Sequence, residues 1–217
     1  MDTFELKKEQ FKLAPKVSLR DGFEEVKTIG GVICLPFKNS ILAYVVVCEY
    51  PSMKLIEKRK YVLHNPLPHK PGYDAYRMMP AMIEAYNMLN KEPEILFVKG
   101  DGILHPRKIG LASHLGLVLN KSVIGINDKL KLGKVEQGKI MFANKGVGFE
   151  IKTKEHAKPI YITQGHLISL GSMLKIVKKT ILFPHKIPEP IHLAQKFAKN
   201  KIKRIIEKEK VAECELK

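Results

Sequence analysis

One short run of this chain, KGDGILHPR, holds an amine, a carboxylate, an imidazole and a guanidinium: Lys99, Asp101, His105 and Arg107, with Gly100 and Gly102 between them. Cationic side chains suit phosphate oxygens, while a carboxylate and an imidazole suit proton transfer or a hard metal ion. Glu94 and Asp128 flank the run and His166 follows further on, so metal-assisted hydrolysis and plain anion binding are both open chemistries. The apolar segments 95–98 and 121–126 enclose the run, which predicts strand, loop, helix, strand. In such a parallel unit ligands meet the loops at the carboxyl ends of the strands, where these residues lie.

The elements around that unit must form one body. The chain has 217 residues, 45% of them apolar, and no Ser/Pro/Gly-rich linker divides it, so residues 1–217 read as a single domain. Cys34, Cys48 and Cys214 are far apart and lack metal-ligand spacing, which fits a reducing compartment better than a disulfide scaffold. The start, MDTFELKKEQFK, is too charged for a secretory signal, and no apolar run approaches the roughly 20 residues that span a bilayer. A cytoplasmic protein without membrane contact is expected. Lys and Arg outnumber Asp and Glu by 38 to 22, a net charge of +16, which favours polyanions such as nucleic acid. A solvated, lysine-rich surface is the plainer explanation of the same charge.

Residues 1–25 are polar and without pattern apart from Phe11 and Leu13, and read as a peripheral arm. Segments 28–35, 41–49 and 53–63, separated by turn residues, predict an antiparallel meander. Val45, Val46 and Val47 in succession predict a strand buried on both faces. The prolines of HNPLPHKPG, residues 64–72, predict a rigid exposed loop. Met78, Met82, Ala85 and Leu89 recur at helical spacing within 73–89, as core filler. Segments 135–142 and 148–152 predict a hairpin, 159–163 a strand, and 167–180 and 191–209 helices. Residues 191–217 form a basic helix and tail, in which Lys199, Lys203 and Arg204 offer phosphate contacts.

A meander, a helix, then alternating strands and helices is the order of a ribonuclease H-like α/β fold, a mixed sheet with helices on both faces. The stretches LPHKPGYDAYR (67–77), GDGILHPRKIGLASHLG (100–116), VIGI (123–126), ITQGHLISL (162–170) and IPEP (187–190) resemble the successive motifs of the endonuclease V family. The resemblance spans roughly residues 28–200. It implies that fold, cleavage of nucleic acid near deaminated adenine with magnesium, and a role in DNA repair.

Taken position by position, the resemblance also implies losses. The family's first acid falls at Ile33, its helix acid at Met78 and its loop acid at Lys99, aligned on His105, Pro106 and Arg107. His166 falls where the family has a site histidine, as a vestigial proton donor. The family's lysine after VIG falls at Asp128, so Lys99 and Asp128 have exchanged charge and are expected to pair in a rebuilt site near His166. Magnesium needs oxygen ligands, and neither an alkyl, a thioether nor an ammonium group supplies one, so no metal and no cofactor is expected.

The family's strand-separating wedge corresponds to Pro68, His69, Lys70 and Pro71, where His69 can stack on a base and Lys70 favours phosphate. Its pocket for a flipped base corresponds to Gly72, Gly100, Gly110 and Leu111, edged by Asp74 in place of an apolar residue. His105 and Arg107 complete the expected nucleic-acid surface. Two functions therefore compete. One is a metal-free pseudoenzyme that keeps nucleic-acid binding, deaminated bases included. The other is an active endonuclease V-type DNA or RNA endonuclease that uses Mg2+ in a rearranged site of Glu94, Asp101, Asp128 and His166. Oligomeric state and protein partners are not written in the sequence.

Overall fold

The computed structural model describes residues 3–154 and 157–215. α1 (Thr3–Leu13) leads through a short 3-10 turn to β1 (Thr28–Phe37), β2 (Ser40–Glu49) and β3 (Leu55–His64). These strands pair antiparallel as the expected meander. β2, SILAYVVVCE, is buried along its length up to Glu49, because β-branched and apolar side chains fill both of its faces. α2 (Asp74–Asn87), β4 (Ile95–Lys99), α3 (Leu111–Leu119) and β5 (Ser122–Asn127) follow, with β4 parallel to both β1 and β5.

β6 (Lys134–Glu136), β7 (Lys139–Phe142), β8 (Lys145–Ile151) and β9 (Ile160–His166) come next, then α4 (Leu170–Lys179) and α5 (Glu189–Glu215). The single mixed sheet has the order β3-β2-β1-β4-β5-β9-β8-β7-β6. Strand periodicity sends alternate residues to opposite faces. Ile33, Val46, Phe97 and Ile124 pack with Met173, Ile191 and Ala194 of α4 and α5. Val32, Val45, Val98 and Val123 pack with Met82 and Leu115 of α2 and α3. This is the ribonuclease H-like arrangement.

Two expectations change. The segment 135–142 is two strands, because Gln137 and Gly138 both take positive φ, the turn that closes a two-residue hairpin. Residues 3–25, expected as a patternless peripheral arm, are tied to the body at specific points. Gln10 of α1 is 1% exposed, and Asp21 accepts hydrogen bonds from Ser169 N and from the Ser172 hydroxyl, fixing the start of α4.

Candidate nucleic-acid site

The carboxyl ends of β4 and β5 open into a cavity of about 250 Å3. Its wall combines Lys99, Gly100 and Asp101 after β4, Gly110 and Leu111 at the start of α3, and Asn127 of β5. Asp74 and Met78 of α2, Gly72 and His69 of the proline loop, and Gln10 of α1 close it. Parallel pairing sets Lys99 opposite Ile126, so Asp128 lies just past the end of β5 and within reach. Lys99 Nζ is 2.5 Å from Asp128 Oδ2, with the two side chains 21% and 49% exposed. Nζ itself is shielded from solvent, yet no acceptor among the described residues takes a directed hydrogen bond from it. The contact is therefore charge on charge, and the half-exposed carboxylate puts it nearer a surface pair than a buried one.

The other two marked acid positions carry no oxygen. Ile33 is 0% exposed, one step beyond the Val32–Val98 pair, on the sheet face covered by α4 and α5. Met78 lines the cavity from the opposite face. The acids that do line it are engaged: Asp101 accepts from Asn127 Nδ2 at 2.5 Å and from Lys131 Nζ at 3.0 Å, and Asp74 lies 3.3 Å from His69 Nε2. An ammonium about 4 Å from a divalent ion costs several kcal/mol at an effective dielectric of about 20. These residues do not fit magnesium.

His105 and Arg107 act inward. Gly72, at φ +79, turns its carbonyl toward them, and that oxygen meets Gln10 Nε2 at 3.1 Å, His105 Nε2 at 3.1 Å and Arg107 Nη2 at 2.7 Å. His105 Nδ1 accepts the Arg107 N–H at 3.2 Å, which leaves Nε2–H as the donor to Gly72. Burial and then the Arg107 charge hold the imidazole below its ordinary value, so it is neutral in this role. Arg107 Nε also donates to Gln10 Oε1, and its guanidinium sits 4.6 Å over the Tyr73 ring. Of the two residues expected on the nucleic-acid surface, His105 lines the cavity and Arg107 lies behind it, and the donors of both hold the proline loop to the body. Pro68, His69, Lys70 and Pro71 project from that clamp and are exposed beside the cavity. Gly110 is needed for close approach, since a Cβ there would fall 2.4 Å from the Asp101 carbonyl.

His166 is not part of this cluster. β9 runs antiparallel to β5 and pairs His166 with Val123, whereas Asn127 pairs with Tyr161 at the end beside the cavity. There His166 Nδ1 accepts the Ser18 N–H at 3.2 Å, and burial lowers its pKa. It anchors residues 17–22 to the sheet. Glu94 is also remote, accepting from Thr28 N and Oγ1 at the amino ends of β1 and β4. The rearranged site of Glu94, Asp101, Asp128 and His166 is thus not assembled.

The basic face of α5 is separate from the cavity. Pro190 lies against Gly31 of β1, Phe197 stacks on Tyr44 of β2 at 5.8 Å, and Lys58 of β3 sits 4.2 Å over Phe197. The helix so crosses the meander toward its β3 edge and carries exposed Lys199, Lys203 and Arg204 there. No helix among the described residues is long and apolar enough to cross a membrane. Sequence reasoning missed Gln10, Asn127 and Lys131 as cavity residues. Only Asn127 carried a signal, directly after VIGI.

The family model for Endonuclease V matches residues 11–196. An Endonuclease V of Rippkaea orientalis is 34% identical over 91% of this chain and 90% of its own length. One from Dictyoglomus turgidum is 32% identical over 92% and 91%. Among solved structures, an Endonuclease V of Ciona intestinalis in complex with a 24mer DNA containing an inosine followed by a ribo-adenosine superposes with a TM-score of 0.83. It is 26% identical and covers 94% of this chain and 98% of that one. An Endonuclease V of Bacillus subtilis shares the fold, with a TM-score of 0.86 at 24% identity over 96% and 95%.

Proposed function

This chain belongs to the endonuclease V family, and from that premise we propose that it is a nucleic-acid-binding member that works without metal and does not cleave. The observation that carries this reading is the Lys99–Asp128 contact at 2.5 Å on the wall of the cavity. Where the resemblance expects an acid to hold an ion, a fixed ammonium now faces a partner of opposite charge. The pair leaves Lys99 a positive charge at the end of β4, which attracts a phosphate with no ion between them once the ligand displaces Asp128.

The surroundings favour a nucleic-acid ligand. The exposed Pro68–Pro71 segment stands beside the cavity on a backbone clamped through Gly72, so a base drawn toward the cavity meets a loop that is already ordered. Asp74 and Asp101 keep carboxylate lone pairs at its wall beyond those their protein partners take, suited to the amino or ring N–H groups of a base. The related Ciona protein was seen with inosine-containing DNA. The exposed cations of α5 add a sequence-independent contact away from the cavity.

The test is fluorescence anisotropy with a single-stranded inosine oligonucleotide in the presence of a chelator. Binding should persist there, with log affinity falling linearly in log salt by about 0.7 per phosphate neutralised. Replacing Lys199, Lys203 and Arg204 together by Ala should flatten that slope. Binding that vanishes in chelator and returns with magnesium would overturn the proposal.

A further inference from the structure

We propose that His185, Glu189 and His192 form a binding site for one zinc ion where the loop after α4 enters α5. Among the described residues they are the one group of three such side chains whose ligand atoms all lie within 4.8 Å of one another. None of them lines the cavity, so the site stands whatever the cavity holds.

The sequence spacing explains the cluster. Glu189 and His192 are three residues apart at the start of α5, hence on one helical face, and His185 comes from the loop just before it. Glu189 is nearly buried, and its Oε2 lies 2.6 Å from His185 Nδ1. The two imidazoles stack with centroids 3.5 Å apart and planes 17° from parallel.

Two imidazole nitrogens and a carboxylate oxygen form a donor set that zinc takes with a water as fourth ligand, at roughly 2.0 to 2.2 Å from each. Magnesium and calcium prefer all-oxygen shells. The positive end of the α5 dipole opposes a cation, and Glu189 offsets it. Stacked rings hold their nitrogens side by side, so one must turn to aim at the ion. His185 is the ring placed to do so, because it sits on a loop and is 31% exposed.

Tag-free protein stripped with chelator should bind one equivalent of zinc by calorimetry. Cobalt(II) in its place should give the strong visible absorption of a four-coordinate site. His192→Ala and His185→Ala should each weaken zinc by more than the roughly 10- to 100-fold that altering a mere supporting partner costs. Zinc should raise the unfolding midpoint of the unaltered protein and not of the double variant, whose metal-free midpoint reports whether it folds; if it does not, His192→Gln serves instead. Equal zinc binding by the unaltered and altered proteins, or cobalt that keeps its weak hydrated spectrum, would overturn the site.

Discussion

Lys99 Nζ sits 2.5 Å from Asp128 Oδ2, the amine turned inward and the carboxylate half in solvent. Solvent screening limits such a pair to a coupling of about 1 kcal/mol, well below the roughly 3 to 5 kcal/mol lost when a fully buried pair is broken. Asp128→Ala should therefore destabilise by about 1 kcal/mol. The swap Lys99→Asp with Asp128→Lys should cost less than the sum of its single changes, because it restores opposite charges across the same gap. Strict additivity in chemical denaturation would mean that the two side chains do not interact.

Arg107 holds the proline loop through Gly72 and Gln10, so its loss should be felt as structure rather than as missing charge. Arg107→Ala should destabilise by about 1.5 to 3 kcal/mol, the range for charge-assisted hydrogen bonds, and expose residues 64–72 to proteolysis. The salt dependence of nucleic-acid binding should keep its slope, since the guanidinium is already engaged. A slope shallower by about one phosphate would place Arg107 on the ligand instead.

His166 links stability to pH. Burial puts its folded pKa below the ordinary 6.5. Above about pH 6.5 the ring is neutral in both states and its contribution is fully present. Below that, the unfolded chain takes up a proton that the folded chain refuses, so stability falls until the lowered folded value is passed and the Ser18 hydrogen bond is lost. His105, also lowered by burial, acts in the same direction. His166→Gln should give a shallower loss of stability over this window, and Ser18 amide exchange should no longer accelerate through an imidazole titration. An unchanged pH profile would mean that His166 does not titrate differently on folding.

The sheet was legible because long β-branched runs such as that of β2 can do little but fill both faces of a central strand. The charge exchange at Lys99 and Asp128 was legible only against the motifs of the family, and it became a contact because the two residues lie at the ends of neighbouring parallel strands. What escaped depends on contacts distant in sequence. Gln10 meets Gly72 across 62 residues and Arg107 across 97, and a lone glutamine in a polar helix gives no sign of either. His166 was placed in the site by motif alone, yet antiparallel pairing carries it to the far end of β5. In the same way HPR reads as a ligand-binding run until the Gly72 carbonyl is seen to take the donors of both His105 and Arg107.

Single-turnover cleavage of inosine-containing DNA and RNA with magnesium or manganese tests the proposal that a pair of opposite charges has replaced metal-dependent cleavage. No product should form above the buffer control under conditions where an active endonuclease V cuts. None should form with Ile33→Asp and Met78→Glu either while Lys99 remains, since the ammonium still opposes the ion. Metal-dependent cleavage by the unaltered chain, abolished by a change at Asp101 or Asp128, would contradict that proposal.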